Sequence, residues 1–163
     1  MRYDDNPTIA GSGATQPSAR AVPNTGDDLG ARLPMGGTTG SDRNKAVVRR
    51  LIEEVMNAGR MDAVDELYSP RLAPAAKRWI APFRASFPDV HMEVVDLIAE
   101  GDKVVGRFTC SGTHLGDWLG HSPTGRRFEA IDEVYFFRFS EGEIVHSWGL
   151  EDTLGRLEQL GLR

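Results

Sequence analysis

The sequence predicts an α+β fold in which helices come first, an antiparallel sheet follows and a short helix ends the chain. Apolar residues recur every three or four positions up to about residue 87, and every second position from residue 91 onward. Short turn-forming pairs such as Gly101-Asp102 separate the alternating segments, which favours hairpins. Three N-terminal helices packed on one strongly curved, mainly antiparallel sheet would form a conical barrel with a cavity for a ligand.

Residues 1–42 differ in composition from the rest of the chain. They hold seven glycines, four prolines and a single aromatic residue, Tyr3. No helical or strand period persists there, so this segment cannot bury enough apolar surface to offset the entropy lost on ordering its backbone. We therefore expect a disordered tail over residues 1–42 and one domain over residues 43–163.

The first helix of the domain has the clearest pattern. Its buried face is formed by Val47, Val48, Leu51, Ile52, Val55 and Met56. Ser41 or Asp42 can cap its start, and Gly59 can adopt the left-handed conformation that ends a helix. The spacing therefore predicts a helix from about residue 42 to residue 58.

Two further helices are predicted before the strands. A short one carries an apolar face over residues 61–68 and ends at Pro70. The other covers about residues 72–87 and contains Pro82 in its interior. Because an interior proline removes a backbone hydrogen bond, we expect a kink or a restart of the helix at that point.

Four strands follow, joined by turns. They are predicted over residues 91–99, 103–113, 126–139 and 143–150. Apolar side chains on both faces of the third strand predict that both of its faces are buried. A loop rich in glycine and proline, residues 112–125, precedes that strand. Asp152 or Thr153 caps the short final helix.

The charge balance excludes several classes of partner. The chain of 163 residues has 19 Lys and Arg against 24 Asp and Glu, which gives a net charge of -5. Nucleic acids and anionic membranes are bound by clustered Lys and Arg, so neither is an expected partner. No apolar run reaches the roughly 20 residues that a membrane-spanning helix needs. No secretory signal is visible either, and we expect a cytoplasmic protein.

The sequence predicts no metal and no organic cofactor. Cys110 is the only cysteine, which excludes an internal disulfide and a cysteine-rich metal site. The four histidines are not spaced as pairs of metal ligands. No glycine-rich phosphate-binding motif follows a predicted strand.

The domain also carries a series of short segments whose order and spacing are specific. They are residues 44–50, 57–67, 87–90, 112–116, 123–126, 137–139 and 142–145, then Trp148 and residues 152–155. Together these segments span about residues 43–161 and resemble the SnoaL-like polyketide cyclases, within the nuclear-transport-factor-2-like fold group. The resemblance implies a conical α+β barrel that pairs as a homodimer through its outer sheet face. It also implies intramolecular aldol ring closure of a polyketide ester, without metal or organic cofactor.

The last strand supplies the candidate catalytic residues. Ile144, His146, Trp148 and Asp152 lie at even steps and would share one face. If that face meets the cavity, Asp152 could act as a general base with a raised pKa, and His146 could pass a proton or polarise a carbonyl. The resemblance likewise implies Asp152 as the acid/base group. The alternatives are a helix cap for Asp152 and a surface histidine for His146.

Six further residues are candidates for binding the substrate. They are His114 and Trp118 in the glycine-rich loop, Tyr135 on the third strand, Trp148 on the fourth, and Trp79 and Phe83 on the third helix. The Tyr135 hydroxyl could stabilise an enolate oxygen. The alternatives are a solvated cap for His114 and core packing for the aromatic residues.

Three functions remain open from the sequence. In the first, Asp152 removes a proton next to a carbonyl, and the enolate closes a ring within a small hydrophobic, polyketide-like molecule. In the second, the domain binds a hydrophobic ligand or dimerises without catalysis. In the third, it resembles an epoxide hydrolase or a ketosteroid isomerase, which needs two carboxylates, or a carboxylate and a tyrosine, converging in the cavity. The residues that could converge are Asp132, Glu133, Tyr135 and Asp152.

Overall fold

The computed structural model describes residues 39–163, and its elements follow the predicted order. The helices are α1 (Gly40–Arg50), which continues as a π-helix over Leu51–Asn57, α2 (Val64–Leu67) after a 3-10 turn at Met61–Ala63, α3 (Ala73–Ser86) and α4 (Thr153–Leu160). The strands are β1 (His91–Glu100), β2 (Lys103–Thr113), β3 (Arg127–Ser140) and β4 (Glu143–Glu151). All four pair antiparallel in the order β1-β2-β3-β4, so the predicted α+β class is confirmed.

The start of α1 differs from the prediction. Thr39 is the N-cap: its hydroxyl accepts from the Asp42 backbone N–H at 3.1 Å, and the Asp42 carboxylate accepts from the Thr39 N–H at 3.2 Å. This reciprocal pair is a capping box. The expected cap at Ser41 or Asp42 is therefore wrong, and residues 40–42 belong to the helix rather than to the tail. The rest of the predicted tail lies outside the described residues.

Helix α3 runs through Pro82 without the expected restart. Proline leaves the carbonyl four residues earlier, that of Arg78, without its helical donor. Both residues are exposed, so water can pair with this carbonyl. The position of Pro82 on the solvent-exposed face explains why the helix tolerates the proline.

The helices cover one face of a curved sheet, and the core lies between them. Val48 and Val55 from the first helix and Ile80 from α3 pack with strand residues such as Phe108 and Phe137, and all are buried. The strand register shifts once in each of the three hairpin pairs. Such bulges bend a sheet, and the bend gives the sheet a concave side facing the helices.

Nothing in the described part of the chain, residues 39–163, covers the outer face of the sheet. Phe136 on β3 is 44% exposed and Trp148 on β4 is 51% exposed. The prediction that β3 is buried on both faces is therefore wrong. Its apolar side chains face the core on one side and an uncovered surface on the other, a difference that periodicity does not reveal.

Candidate active site

A cavity lies between the helices and the concave side of the sheet. The space inside it that admits a water-sized molecule is about 20 Å³. It is lined by Leu51, Ile52, Met56, Tyr68, Trp79, Met92, Tyr135, Phe137 and Ser147. Most of these side chains are apolar or aromatic, and the few polar groups are phenol, indole and serine hydroxyl groups. Such a lining suits a hydrophobic ligand with a small number of polar atoms.

Tyr135 is held in the cavity wall by its neighbours on the sheet and on α3. It pairs across the hairpin with Gly149, and a Cβ at that position would collide with the Tyr135 ring. The glycine therefore leaves the space that the ring fills. The ring stacks on Trp79, with centroids 6.4 Å apart, and on Phe137, with centroids 6.1 Å apart.

A chain of polar contacts leads from Tyr135 into the protein. The Tyr135 hydroxyl donates to Glu151 Oε1 at 2.5 Å, and Arg156 Nη1 donates to Glu151 Oε2 at 2.8 Å. Arg156 Nη2 donates to the Glu133 carboxylate. The Arg156 and Glu133 side chains are only 1% and 3% exposed, whereas that of Glu151 is 31% exposed. Two carboxylates thus flank one buried guanidinium next to a tyrosine hydroxyl.

Aromatic rings surround the buried guanidinium. Its Cζ lies 5.2 Å from the Phe83 centroid, 5.5 Å from that of Trp118 and 5.0 Å from that of Phe128. Ring faces attract a cation, and the carboxylates offset the cost of removing its charge from water. Arg156 is consequently a rigid support for the Glu151 carboxylate.

Burial changes the protonation behaviour of two groups in this chain. Burial, and after it the charge of Glu151, raise the pKa of Glu133, whereas Arg156 lowers it. Together these effects bring the pKa of Glu133 to about 7. Burial also raises the pKa of Tyr135 well above its usual range, and the charges of Glu133 and Glu151 raise it further. At neutral pH Tyr135 is therefore a neutral hydrogen-bond donor, and Glu133 can hold a proton near neutrality.

The comparison with known families agrees with this architecture. The family model of the SnoaL-like polyketide cyclases matches residues 46–160. The chain belongs to the SnoaL-like polyketide cyclase family.

Relatives of this SnoaL-like protein are named as methyl ester cyclases. It is 28% identical over 134 residues to aklanonic acid methyl ester cyclase DauD of Streptomyces sp. (strain C5), covering 82% of this chain and 80% of the relative. It is 31% identical over 119 residues to nogalonic acid methyl ester cyclase of Streptomyces nogalater, covering 64% and 88%. Among solved structures, AclR of Streptomyces galilaeus, described as a hydroxylase, has a TM-score of 0.69 at 25% identity and covers 76% of this chain and 84% of its own.

Asp152 of this SnoaL-like protein does not face the cavity. It is exposed and forms the N-cap of α4, where its Oδ1 accepts from the Gly155 backbone N–H at 2.8 Å. The expectation of an inward-facing carboxylate is wrong, because the side chain turns to the unpaired N–H groups at the helix start. The alternative, a helix cap, is confirmed.

His146 and Trp148 also lie away from the cavity. Ile144 is buried, but the β3–β4 register shifts between Arg138 and Phe139, directly beside it. A slip of one residue moves all later side chains of a strand to the other face. His146 and Trp148 are therefore exposed on the outer face, and their expected place in the cavity is wrong.

The remaining predicted binding residues fall into two groups. Tyr135 and Trp79 line the cavity as expected. Phe83 and Trp118 instead pack on the Arg156 guanidinium. His114 is fully buried beside Trp118, and its Nδ1 lies 3.2 Å from the Thr124 backbone N and from Thr124 Oγ1, so it is not a solvated cap.

Sequence reasoning missed Glu151 and Arg156. Glu133 and Tyr135, two of the residues that could converge, both lie on the inner face of β3. Their partner Glu151 could be found only with the register, which places it opposite Glu133. Arg156 gives a weak signal, because it lies four residues before Leu160 and shares the buried side of α4 with it.

Residues 39–163 contain neither a candidate metal site nor a helix suited to crossing a membrane. In this part of the chain, no three or more His, Cys, Asp or Glu side chains are grouped so that they could hold a metal ion. None of the helices described combines the length and the hydrophobicity that crossing a membrane requires.

Proposed function

We propose that the protein closes a ring in a polyketide ester by an intramolecular aldol reaction inside the cavity, with Glu151 and Tyr135 as the acid/base pair. The contact between Tyr135, which lines the cavity, and the Glu151 carboxylate carries this proposal. It places a proton acceptor next to the hydroxyl of a residue in the cavity wall. The cyclase relatives and the family membership support the reaction class.

The reaction consists of proton transfers around one new bond. The Glu151 carboxylate takes a proton from a carbon activated by neighbouring carbonyl groups. The resulting enolate carbon bonds to a second carbonyl carbon of the same molecule, and the π electrons of that carbonyl move to its oxygen. Tyr135 gives its hydroxyl proton to this oxygen, and Glu151 returns the first proton to Tyr135. The product is an isomer of the substrate, and both residues end as they began.

Arg156 and Glu133 are positioning residues in this scheme. Arg156 fixes the orientation of the Glu151 carboxylate, and the aromatic rings fix Arg156. Glu133 balances the guanidinium charge. A carboxylate held in this way loses little energy to reorganisation when the proton moves.

Incubation with two esters tests the proposal. The purified protein is mixed with aklanonic acid methyl ester and, separately, with nogalonic acid methyl ester, the compounds that name the cyclase relatives. We expect a product of unchanged mass with one more ring, formed without added cofactor and in the presence of a chelator. Unconverted esters would contradict the proposal, and a product with one more oxygen atom would indicate hydroxylation.

The carboxylate–tyrosine pair also favours a second candidate function, an isomerase of the ketosteroid type. Glu151 would then move a proton between two carbons while a hydroxyl holds the enolate oxygen. Nuclear magnetic resonance of the product separates the two candidates. A new carbon–carbon bond identifies the cyclase, and a shifted double bond identifies the isomerase.

We also propose that a second copy of the chain covers the outer sheet face. Ile98, Val105, Phe136 and Trp148 are paired in one row across all four strands, and three of them are strongly exposed. The next row, Glu100, Lys103, Arg138 and His146, carries charges of both signs. An apolar row beside a mixed-charge row is self-complementary when two copies meet around a two-fold axis.

A further inference from the structure

Tyr68 is a buried residue whose hydroxyl has no role in the proton relay. Its exposed fraction is 0%, and it lines the cavity. Its hydroxyl has no hydrogen-bond partner among the described residues. Most buried hydroxyl groups are paired, because an unpaired one loses its bonds to water without compensation. The missing partner therefore needs an explanation.

The backbone holds Tyr68 firmly in this position. Its N–H donates to the Val64 carbonyl at 3.0 Å, and the residue forms a parallel bridge to Ile144 on β4. The next residue, Ser69, donates to the Ile144 carbonyl at 3.0 Å. The ring thus projects from a backbone segment that is fixed on both sides.

The two cavity tyrosines differ in what their hydroxyl hydrogens contact. The Tyr135 hydroxyl already donates to Glu151, whereas that of Tyr68 is free. Burial alone raises the pKa of Tyr68 above its usual range, so the group keeps its proton. A molecule that reaches this hydroxyl therefore meets a neutral donor in an otherwise apolar setting, where a hydrogen bond to a charged oxygen is strong.

We propose that Tyr68 donates its hydroxyl hydrogen to a carbonyl oxygen of the bound substrate, the one that becomes the enolate oxygen. This rests on the proposed function and specifies its substrate: a hydrophobic ketone or ester with an acceptor oxygen away from Glu151. When Glu151 removes the carbon-bound proton, negative charge develops on this oxygen and the bond from Tyr68 strengthens. Tyr68 and Tyr135 then serve the two different oxygens of the aldol reaction.

The test uses Tyr68→Phe and the unreactive ketone 9-fluorenone as a probe. In the wild-type protein we expect the carbonyl stretch of bound fluorenone to lie at lower frequency than in an apolar solvent. In Tyr68→Phe we expect this shift to vanish and binding to weaken about tenfold. The melting temperature should stay equal or rise, because the substitution removes an unpaired buried hydroxyl. Ser147→Ala, which removes another hydroxyl of the cavity lining, is the matched control and should keep the shift.

Two outcomes would overturn the inference. One is a wild-type protein that does not bind fluorenone or does not shift its carbonyl stretch. The other is a Tyr68→Phe variant that keeps the shift, or melts lower because the hydroxyl has a structural partner. The ester assay is evaluated separately. A shift of the fluorenone carbonyl stretch without ring closure of the esters would reject only the proposed function. Ring closure that is unchanged in Tyr68→Phe would reject only the inference.

Discussion

Glu151 and Asp152 are adjacent carboxylates with different surroundings. Glu151 ends β4 on the side of the sheet that carries the helices and remains partly exposed, and Tyr135 and Arg156 donate to its two oxygens. Asp152 points outward and binds the start of α4. One residue along the chain separates a candidate base from a structural cap.

Substitution of each carboxylate distinguishes these roles. We expect Glu151→Gln to lower kcat on the methyl ester substrate by roughly 10²–10⁴-fold, because the general base is lost. The matched variant Asp152→Asn should keep most of the activity. Asp152→Ala should lower the free energy of unfolding by about 1 kcal/mol, because the cap is lost. Kinetics and urea unfolding of the three variants check this. An inactive Asp152→Asn with unchanged stability would return the catalytic role to Asp152.

Glu133 makes stability depend on pH. Its pKa is about 4.3 in an unfolded chain and about 7 when buried in the fold. The folded state therefore binds this proton more tightly. The resulting stability is fully present below about pH 4.3 and is lost as the pH rises through about 7.

The variant Glu133→Gln removes this titration. We expect the free energy of unfolding of the wild-type protein, relative to this variant, to fall between about pH 4.3 and pH 7. Chemical unfolding across that range measures it, with Glu141→Gln in an exposed turn as the control. Parallel curves for the wild-type protein and Glu133→Gln would show that the buried carboxylate does not titrate there.

At the scale of elements, the β3–β4 hairpin determines the site. Its register shift turns His146 and Trp148 outward and leaves Glu151 on the inner face. Opposite Tyr135, the hairpin carries Gly149, where a larger residue has no space. The hairpin thus selects which residues reach the cavity and how the tyrosine ring lies.

Gly149→Ala tests the fit between the strands. The added methyl group would collide with the Tyr135 ring, so we expect the ring to move away from Trp79 and Glu151 and kcat to fall. Near-ultraviolet circular dichroism reports the ring environment, and far-ultraviolet spectra report the retained strands. Gly40→Ala is the control, because a Cβ at Gly40 meets no atom within 4 Å. Full activity and unchanged aromatic signals in Gly149→Ala would contradict this account.

Within residues 39–163, helices cover one face of the sheet and leave the other face uncovered. The uncovered apolar row contains Phe136 and Trp148, which are adjacent, with ring centroids 5.4 Å apart. Burial of two aromatic residues at the centre of an interface contributes strongly to association. This arrangement is the basis for the proposed dimer.

Light scattering after size exclusion tests the dimer. We expect twice the chain mass for the wild-type protein and a single chain mass for Phe136→Glu, because a charge in the centre of the apolar row would be buried without a partner. Leu119→Glu is the control, since Leu119 is more exposed than Phe136 but lies in the loop before β3. A monomeric wild-type protein, or a Phe136→Glu variant that remains dimeric, would exclude this face as the interface.

Local patterns predicted most of the elements. Residues 103–113 form the predicted second strand without change, and Gly59 has the expected positive φ of 75° after the first helix. The predictions of element boundaries differ from the structure at positions where local rules allow more than one outcome. Thr39 rather than Ser41 or Asp42 caps α1, and the exposed position of Pro82 allows α3 to continue.

The sequence by itself determined the order of helices and strands, the family and two cavity residues, Trp79 and Tyr135. These depend on periodicity and on short motifs, which are properties of neighbouring positions. Only the tertiary structure decided that Glu151, and not Asp152, meets Tyr135, and that Arg156 and Tyr68 lie buried beside the site. Those contacts depend on a register shift and on the packing of α4 and α2 against the sheet, which bring together residues far apart in the chain.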